Sequence, residues 1–217
     1  MRILTVGRND AGQRLDKFSQ KSVKGLPTSM MHKLIRTKKI KCNRKRTEPN
    51  AVLREGDEIQ LFIREEFFDS PSRDDGALSR IRPKLDIVYE DENIMLVNKP
   101  QGLIVHPDDT EYRDTLIMRI QHYLYKKGEF KPAEETSFKP ALVNRIDRNT
   151  GGIVIAAKTA AALRILNEKL KNREINKFYL CVVHGKMPKR EDTLSGYLEK
   201  DENKNIAKIR SHKTDDN

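Results

Sequence analysis

The sequence predicts an α+β protein: a small N-terminal domain of two helices and a small sheet, followed by a larger domain with a mixed, mainly antiparallel sheet. Apolar residues at helical spacing, first at Leu15 and Phe18 and then within 30–35, predict the two helices. In the second half, two apolar runs flank the polar stretch E-D-E-N at 90–93, which is the pattern of a β-hairpin. A chain of 217 residues can hold one large domain or two small ones, and we expect two.

We predict an N-terminal domain over residues 1–65, a linker over 66–83 and a second domain over 84–217. The linker prediction rests on the stretch D-S-P-S-R-D-D-G, which mixes Ser, Pro, Asp and Gly and has no apolar period. In the first domain, the second helix is expected to begin at Pro27 and to end near Lys38.

The remaining elements are predicted from the same signals. In the first domain these are strands over 40–42 and 59–63, with turns at Asn43 and Gly56. In the second domain they are a hairpin over 85–99, helices capped by Thr115 and Thr159, and strands over 153–157 and 177–185.

Positive charge is concentrated near the N-terminus. The net charge is +11 with a sequence pI near 9.6, and residues 1–66 hold 16 Lys and Arg against 8 Asp and Glu. Eight basic residues and no acid lie in the stretch 33–46: Lys33, Arg36, Lys38, Lys39, Lys41, Arg44, Lys45 and Arg46. A charge run is commonly a solvated face, but an unneutralised run on an ordered helix and strand repels itself unless an anion is near. We therefore predict that these residues bind nucleic acid.

Other classes of protein are disfavoured by what the sequence lacks. Cys42 and Cys181 are far apart and outside any C-x-x-C pattern, so neither a disulfide framework nor a zinc site is predicted. No window approaches the roughly 18 apolar residues of a membrane span. His106 and His184 have no metal-ligand neighbour at useful spacing and are interpreted as structural. We expect a cytoplasmic monomer without a membrane partner.

The most informative motif is N-R-I-D-R-N-T-G-G at 144–152, which runs into the apolar stretch I-V-I-A-A. Two glycines allow a tight bend before a buried strand, so Asp147 would lie at the entrance of a rigid sheet. A carboxylate is ionised at neutral pH and can attack an electrophile without a partner base. The sequence has no G-x-S-x-G, H-E-x-x-H or Walker motif that would offer another site. The alternative is that Asp147 only caps or shapes a turn.

This stretch, continued through A-K-T, closely resembles the catalytic signature of the RluA-type (RluC/RluD-like) pseudouridine synthases, H-R-L-D-x-x-T-S-G-L followed by an A-K pair. Asn144 stands where the signature has histidine, and Gly151 where it has serine. Two further segments, V-N-K-P-Q-G-L-I-V-H-P at 97–107 and K-F-Y-L-C-V-V-H-G at 177–185, resemble family segments in the expected order. The N-terminal domain resembles the small RNA-binding domain of the fourth small-subunit ribosomal protein.

The resemblance implies a fold, an activity and a set of residues. The second domain would be of the pseudouridine synthase type, isomerising uridine in RNA without a metal or cofactor, and large-subunit ribosomal RNA would be its substrate. Asp147 would be the nucleophile. Arg145 would occupy the space of the extruded base or hold the backbone, and Tyr179 would stack on the flipped uracil.

One departure concerns the C-terminus. Family members continue into a segment around H-Q-I-R, whereas this chain stops at S-H-K-T-D-D-N, so the resemblance implies a catalytic domain that is incomplete and C-terminally truncated, with an exposed sheet edge. Two alternatives therefore stay open. One is an RNA-binding protein without turnover, an inactive truncated synthase; the other is a DNA-binding regulator built around the basic helix.

Overall fold

The computed structural model describes residues 1–68, 84–108, 111, 114–132, 136–201 and 206–211. They belong to two compact units, Met1–Ile175 and Asn176–Asn217. The strands are β1 (Arg2–Thr5), β2 (Ile40–Cys42), β3 (Glu58–Leu61), β4 (Ile87–Glu90), β5 (Ile94–Lys99), β6 (Ala141–Leu142), β7 (Gly152–Ala157), β8 (Tyr197–Asp201) and β9 (Ile206–Arg210). The helices are α1 (Leu15–Ser22), α2 (Thr28–Arg36), α3 (Leu116–Lys126) and α4 (Ala160–Lys171).

The N-terminal part of the first unit is a three-stranded antiparallel sheet, in the order β1-β3-β2, with α1 and α2 packed on it. Leu15 and Phe18 of α1, and Met31 and Ile35 of α2, are fully buried with Ile59 of β3. The two predicted helices and the two predicted strands are therefore present. The strand β1 was not predicted, because its side chains are mostly exposed and it owes its conformation to pairing with β3.

Helix α2 ends earlier than predicted, at Arg36. Lys38 has a left-handed backbone with φ 62°, and the amide of Lys39 donates to the carbonyl of Leu34 at 2.8 Å, which closes the helix end. The adjoining strand β3 also stops short of the predicted range, at Leu61.

The second sheet of the first unit has the strand order β4-β5-β7-β6, and every pairing is antiparallel. The predicted hairpin is β4–β5, and the predicted strand at 153–157 is β7 in the centre of the sheet. Residues Met95, Val97 and Lys99 alternate along β5 toward the buried face. This mixture of helices and antiparallel strands confirms the predicted fold class at that level.

Helices α3 and α4 begin at the predicted caps. The hydroxyl of Thr115 accepts a hydrogen bond from the amide of Met118 at 3.4 Å, and the hydroxyl of Thr159 accepts one from the amide of Ala162 at 3.2 Å. The apolar face of α3 packs into the core of the second sheet, whereas α4 buries Ala160 and Ala162 at its start. Both helices thereby fix the ends of the loops that precede them.

The predicted strand over 177–185 is wrong. Residues 176–183 have no regular secondary structure, and their side chains are exposed. A strand requires a neighbour that accepts its backbone hydrogen bonds, and this segment finds none among the described residues. In the same unit, β8 and β9 form an antiparallel hairpin that the sequence patterns did not reveal.

Of the predicted linker over residues 66–83, the structure describes only the first three residues. Phe67 and Phe68, which lie inside the predicted linker, pack against the first hydrophobic core, and residues 69–83 lie outside the described residues. The domain boundaries at 65 and 83 thus stay a prediction. In the described ranges, the helices are all too short or too polar to cross a membrane.

Candidate active site

Asp147 lies in the loop between β6 and β7, which we call the Asp147 loop (residues 144–151). Its side chain is exposed, and its carboxylate forms no hydrogen bond or ion pair with any described residue. The flanking arginines are exposed as well, and Arg148 faces Asp108 at 3.7 Å instead of Asp147. A carboxylate engaged by an arginine would indicate a structural ion pair; this one remains available to a ligand.

The backbone of the Asp147 loop is held by a buried lysine. Lys99, at the end of β5, is 0% exposed, and its ammonium donates to the carbonyls of Pro100 at 3.0 Å, Leu103 at 2.7 Å and Arg148 at 3.0 Å. Burial lowers the pKa of Lys99, and the nearby charge of Asp147 partly offsets that effect. One side chain thus ties the Asp147 loop to residues 100–103.

Asn144 provides a second anchor. Its side-chain amide donates to the carbonyl of Ile153 at 3.3 Å and accepts from the amide of Ile155 at 2.8 Å, so it pairs with β7 as another strand would. The predicted glycine bend is also present: Gly152 has φ 134°, a conformation that favours glycine. Both ends of the Asp147 loop are therefore fixed to β7.

Arg145 and His106 lie close enough to interact. Partial removal from water lowers the pKa of His106, and the positive charge of Arg145 lowers it further. Both effects favour the neutral form of the imidazole over the charged form. The guanidinium of Arg145 forms no ion pair with the described residues and is free to meet an anion.

A cavity of about 310 Å³ adjoins the Asp147 loop. Its walls are residues 100–104, Glu111, Arg148 and the ion pair of Arg119 with Asp114, whose closest atoms are 2.6 Å apart. The volume is at the lower end of the range for small-ligand pockets. Asp147 is not part of its wall, so the cavity is a neighbour of the candidate nucleophile.

Tyr179, the predicted stacking residue, belongs to the second unit. Its side chain is 62% exposed, and the backbone around it is irregular. A juxtaposition of Tyr179 with Asp147 accordingly stays a prediction.

The predicted nucleic-acid-binding residues form what we call the basic surface (residues 33–46). Seven of its eight cationic side chains are exposed, Lys41 is half-buried, and none is paired with an acid in the described part of the chain. Lys38, Asn43 and Arg44 have left-handed backbones, with φ of 62°, 49° and 63°. Such positions persist only where surrounding contacts hold them, and they cluster at functional sites.

The turn of the basic surface is held by Asn43. Its backbone amide donates to the carbonyl of Glu58 at 2.8 Å, its side-chain amide donates to Asp57 at 2.8 Å, and its side-chain oxygen accepts from the amide of Glu58 at 2.9 Å. The ammonium of Lys41 lies 5.3 Å from the centre of the Phe62 ring. The charges are thus presented on an ordered scaffold.

Sequence reasoning missed the part that Lys99 and His106 play in this site. Lys99 was visible only as a lysine at a core position of an otherwise apolar strand, a pattern that indicates a satisfied buried cation. His106 was interpreted as structural because it has no metal-ligand neighbour at useful spacing, and its interaction with Arg145 joins residues far apart in the sequence. Among the described residues, no three His, Cys, Asp or Glu side chains lie together as a metal site would require.

Comparison with known proteins gives a consistent family. The family described as RNA pseudouridylate synthase matches residues 93–217. An uncharacterized RNA pseudouridine synthase of Mycoplasma genitalium is 32% identical over 206 residues, which cover 94% of this chain and 62% of that protein. Ribosomal large subunit pseudouridine synthase C of Escherichia coli K12 is 32% identical over 191 residues, which cover 85% of this chain and 55% of that protein.

One solved structure, Human RNA Pseudouridylate Synthase Domain Containing 4, is 24% identical and covers 45% of this chain and 32% of that one. Its TM-score of 0.31 is too low to support an argument. The chain spans between 55% and 62% of the length of the two curated relatives named above. On the family match and the signature around Asp147, the chain belongs to the RNA pseudouridylate synthases and is of the RluA type.

Proposed function

We propose that this protein isomerises uridine to pseudouridine in large-subunit ribosomal RNA, with Asp147 as the nucleophile. The observation that carries the proposal is an exposed, unpaired carboxylate on a loop whose backbone is anchored by Lys99 and Asn144. Such an arrangement leaves the reacting oxygens free while it limits their movement. The substrate is inferred from relatives named ribosomal large subunit pseudouridine synthase C.

The reaction requires the target nucleotide to leave its stack, at a cost of a few kcal/mol. In this proposal Arg145 fills the vacated space, and Tyr179 stacks on the extruded uracil, an interaction of about 1–3 kcal/mol for aromatic platforms. Asp147 assists cleavage of the bond between N1 and the ribose. The uracil then turns and its C5 bonds to the ribose C1′ that N1 has left. C5 loses its proton to water while N1 takes one up, so the product is an isomer of uridine and no water is consumed.

The basic surface would bind the phosphates around the target. Its eight cations have no acidic partners in the described ranges, and they are held on a helix end, a turn and a strand. Each phosphate neutralised releases counterions, so the affinity for RNA should fall steeply as salt is raised.

The proposed activity is tested with unmodified large-subunit ribosomal RNA. We expect pseudouridine at one or a few defined positions after incubation with the protein, and none after incubation with Asp147→Asn, which keeps the size of the side chain but removes its charge. Asp86→Asn, the same change at an exposed carboxylate outside the loop, should keep the activity. Equal modification by the protein and Asp147→Asn would exclude Asp147 as the nucleophile.

A second candidate function is RNA binding without turnover, and the irregular, exposed segment around Tyr179 favours it. It predicts salt-sensitive binding and no modified base. Changing Lys38, Lys39, Lys41 and Arg44 together to glutamine should then reduce the slope of log affinity against log salt by about 3, at roughly 0.7 for each phosphate contact. The matched control changes four cations elsewhere in the N-terminal part, namely Lys17, Lys24, Arg54 and Arg64. Modified uridines in RNA treated with the unaltered protein would exclude this second function.

A further inference from the structure

Within the first unit, the N-terminal part meets the second sheet and its helices through a small set of polar contacts. We call these contacts the polar seam; they join residues 9–13, between β1 and α1, to Ser137, Ala160 and Arg164. Neither Asp147 nor the basic surface belongs to it. The seam therefore has no assigned part in the reaction described above.

At the centre of the polar seam is a buried aspartate. Asp10 is 2% exposed, and its carboxylate accepts a hydrogen bond from the hydroxyl of Ser137. The side-chain amide of Gln13 donates to the same hydroxyl at 2.6 Å and to the backbone carbonyl of Asp10 at 2.9 Å. A buried carboxylate is tolerated only when such donors satisfy it, so separating the two parts would leave Asp10 short of a donor.

The second group of contacts lies at the start of α4. The guanidinium of Arg164 donates to the carbonyl of Ala11 at 3.0 Å, and the amide of Ala160 donates to the side-chain oxygen of Asn9 at 3.3 Å. Gly12 has φ 80°, and a Cβ atom there would lie 3.3 Å from the Arg164 guanidinium. The chain thus has glycine where the arginine approaches most closely.

No hydrophobic core cluster of the described residues spans the two parts, although Phe138, Ala160 and Ala162 beside the polar seam are buried. One hydrophobic cluster is built from the N-terminal part, and the other from the second sheet with α3. Polar interfaces of this kind between parts of one chain usually permit relative motion. Because the net contribution of each hydrogen bond to stability is small and the polar seam consists of a few such contacts, a few substitutions should release the orientation that it holds.

We propose that the polar seam holds the basic surface in one orientation relative to the Asp147 loop, so that Gln13 and Arg164 are positioning residues that determine which uridine of a bound RNA reaches Asp147. This inference rests on the proposed function. RNA bound at one end of a rigid body presents a defined nucleotide to the other end, whereas a loosened body presents many nucleotides at lower effective concentration. The seam would act through orientation, without touching the substrate.

The orientation can be measured without any activity. Spin labels on cysteines introduced at the exposed positions Lys24 and Lys126, in a background with Cys42→Ser and Cys181→Ser, report the distance between the two parts. We expect one narrow distribution in the otherwise unaltered protein and a broad one after Gln13→Ala with Arg164→Ala. A distribution that stays equally narrow in the double variant would overturn the inference.

Kinetic measurements on a long and a short RNA separate a positioning role of Gln13 and Arg164 from a role in folding. For an RNA long enough to reach the basic surface, the double variant should lose about tenfold in kcat/KM, mainly through KM, and should modify additional uridines. For a short hairpin that reaches only the Asp147 loop, its kcat/KM should stay within about twofold of the unaltered protein. Lysine in place of alanine at position 164 (Arg164→Lys) should restore part of the selectivity for one uridine. Arg173→Ala, which removes an exposed arginine just after α4, should have no effect.

The two proposals fail in different ways. A protein that forms no pseudouridine in any RNA contradicts the proposed function, and the spin-label distances still decide whether the polar seam holds the parts together. An active protein whose choice of uridine is unchanged after Gln13→Ala with Arg164→Ala contradicts the positioning role alone.

Discussion

Two segments of this chain carry residues that we propose act in the same reaction, and their backbones are held very differently. The Asp147 loop is attached to β7 by Asn144 and to residues 100–103 by Lys99. The segment 176–183, which carries Tyr179, has no regular structure and exposes its apolar side chains. The first was predicted to precede a strand and the second to form one, but only the first is joined to a strand in the structure.

The difference shows what an apolar pattern can and cannot specify. Strand β7 pairs on both sides, with β5 and with β6, and its side chains at Val154, Ala156 and Ala157 are buried. Residues 177–183 have a similar apolar run, F-Y-L-C-V-V after the lysine, without a neighbour to pair with in the described residues. The positional precision of a site therefore comes from strand pairing and from anchoring hydrogen bonds.

The largest effect is expected for Lys99→Met. Methionine fills similar space but leaves three carbonyls without their donor, so the free energy of unfolding should fall by about 3 kcal/mol. Chemical denaturation measures this change, and the rate of pseudouridine formation should fall with it as the Asp147 loop loosens. Lys84→Met, at an exposed lysine, is the control. A stable and fully active Lys99→Met protein would show that the lysine does not anchor the loop.

Tyr179→Leu tests the other segment. If Tyr179 stacks on the extruded base, its loss should raise the barrier by about 2 kcal/mol, or roughly 30-fold in rate, while the free energy of unfolding stays unchanged because the side chain is exposed. Single-turnover kinetics measure the effect. Tyr197→Leu, a change at a similarly exposed tyrosine in β8, should be silent. If both variants react at the rate of the unaltered protein, Tyr179 has no part in the site.

Asn144→Ala removes the two hydrogen bonds to β7. We expect the free energy of unfolding to fall by about 1.5 kcal/mol, since each half-exposed bond contributes about 0.5–1.5 kcal/mol. Asn149→Ala, in the same loop but without such bonds, should change it by less than about 0.5 kcal/mol. Equal stabilities of the two variants would contradict the anchoring role of Asn144.

The smallest effect concerns the ion pairs at the other end of β7. Lys158 lies 2.9 Å from Glu90 and 2.5 Å from Glu129. Burial raises the pKa of Glu90, but hydrogen bonds from Lys158 and Lys127 outweigh it, so the pKa lies below its ordinary value of 4.5. The pKa of Glu129 is lowered in the same way. Because both pKa values are lower in the folded protein, their stabilisation is present at neutral pH and is lost as the pH falls through those values.

Lys158→Met should therefore cost about 1 kcal/mol at pH 7 and progressively less below about pH 4. Denaturation at a series of pH values measures the difference, and Lys171→Met, at an exposed lysine, is the control. A difference that is the same at pH 7 and at pH 3 would exclude the carboxylates as its source.

Local signals in the sequence located much of the fold. Thr115 and Thr159 were identified as helix caps because a hydroxyl before an apolar helical stripe satisfies a free amide, and both do so. The hairpin β4–β5 followed from two apolar runs around a polar turn. Strands β1 and β6 could not be identified, since each is short and owes its conformation to the strand beside it.

The residues of the candidate site also divide into those with a local sequence signal and those without one. Asp147 was identified from a contiguous motif, whereas the contact of Lys99 with the carbonyl of Arg148 spans 49 positions and has no local signal. The polar seam has the same character, because Gln13 and Ser137 lie 124 positions apart. Long-range polar contacts depend on how sheets and helices pack against each other. Residue types and their spacing in the sequence do not predict that packing.

Release of the hydrogen at C5 tests whether the Asp147 carboxylate attacks an extruded uridine. RNA that carries tritium at C5 of its uridines should lose tritium to water when the protein is added, because C5 becomes the carbon that joins the ribose. With Asp147→Asn, no release above the level without protein is expected. Release by Asp147→Asn at the rate of the unaltered protein would contradict the account.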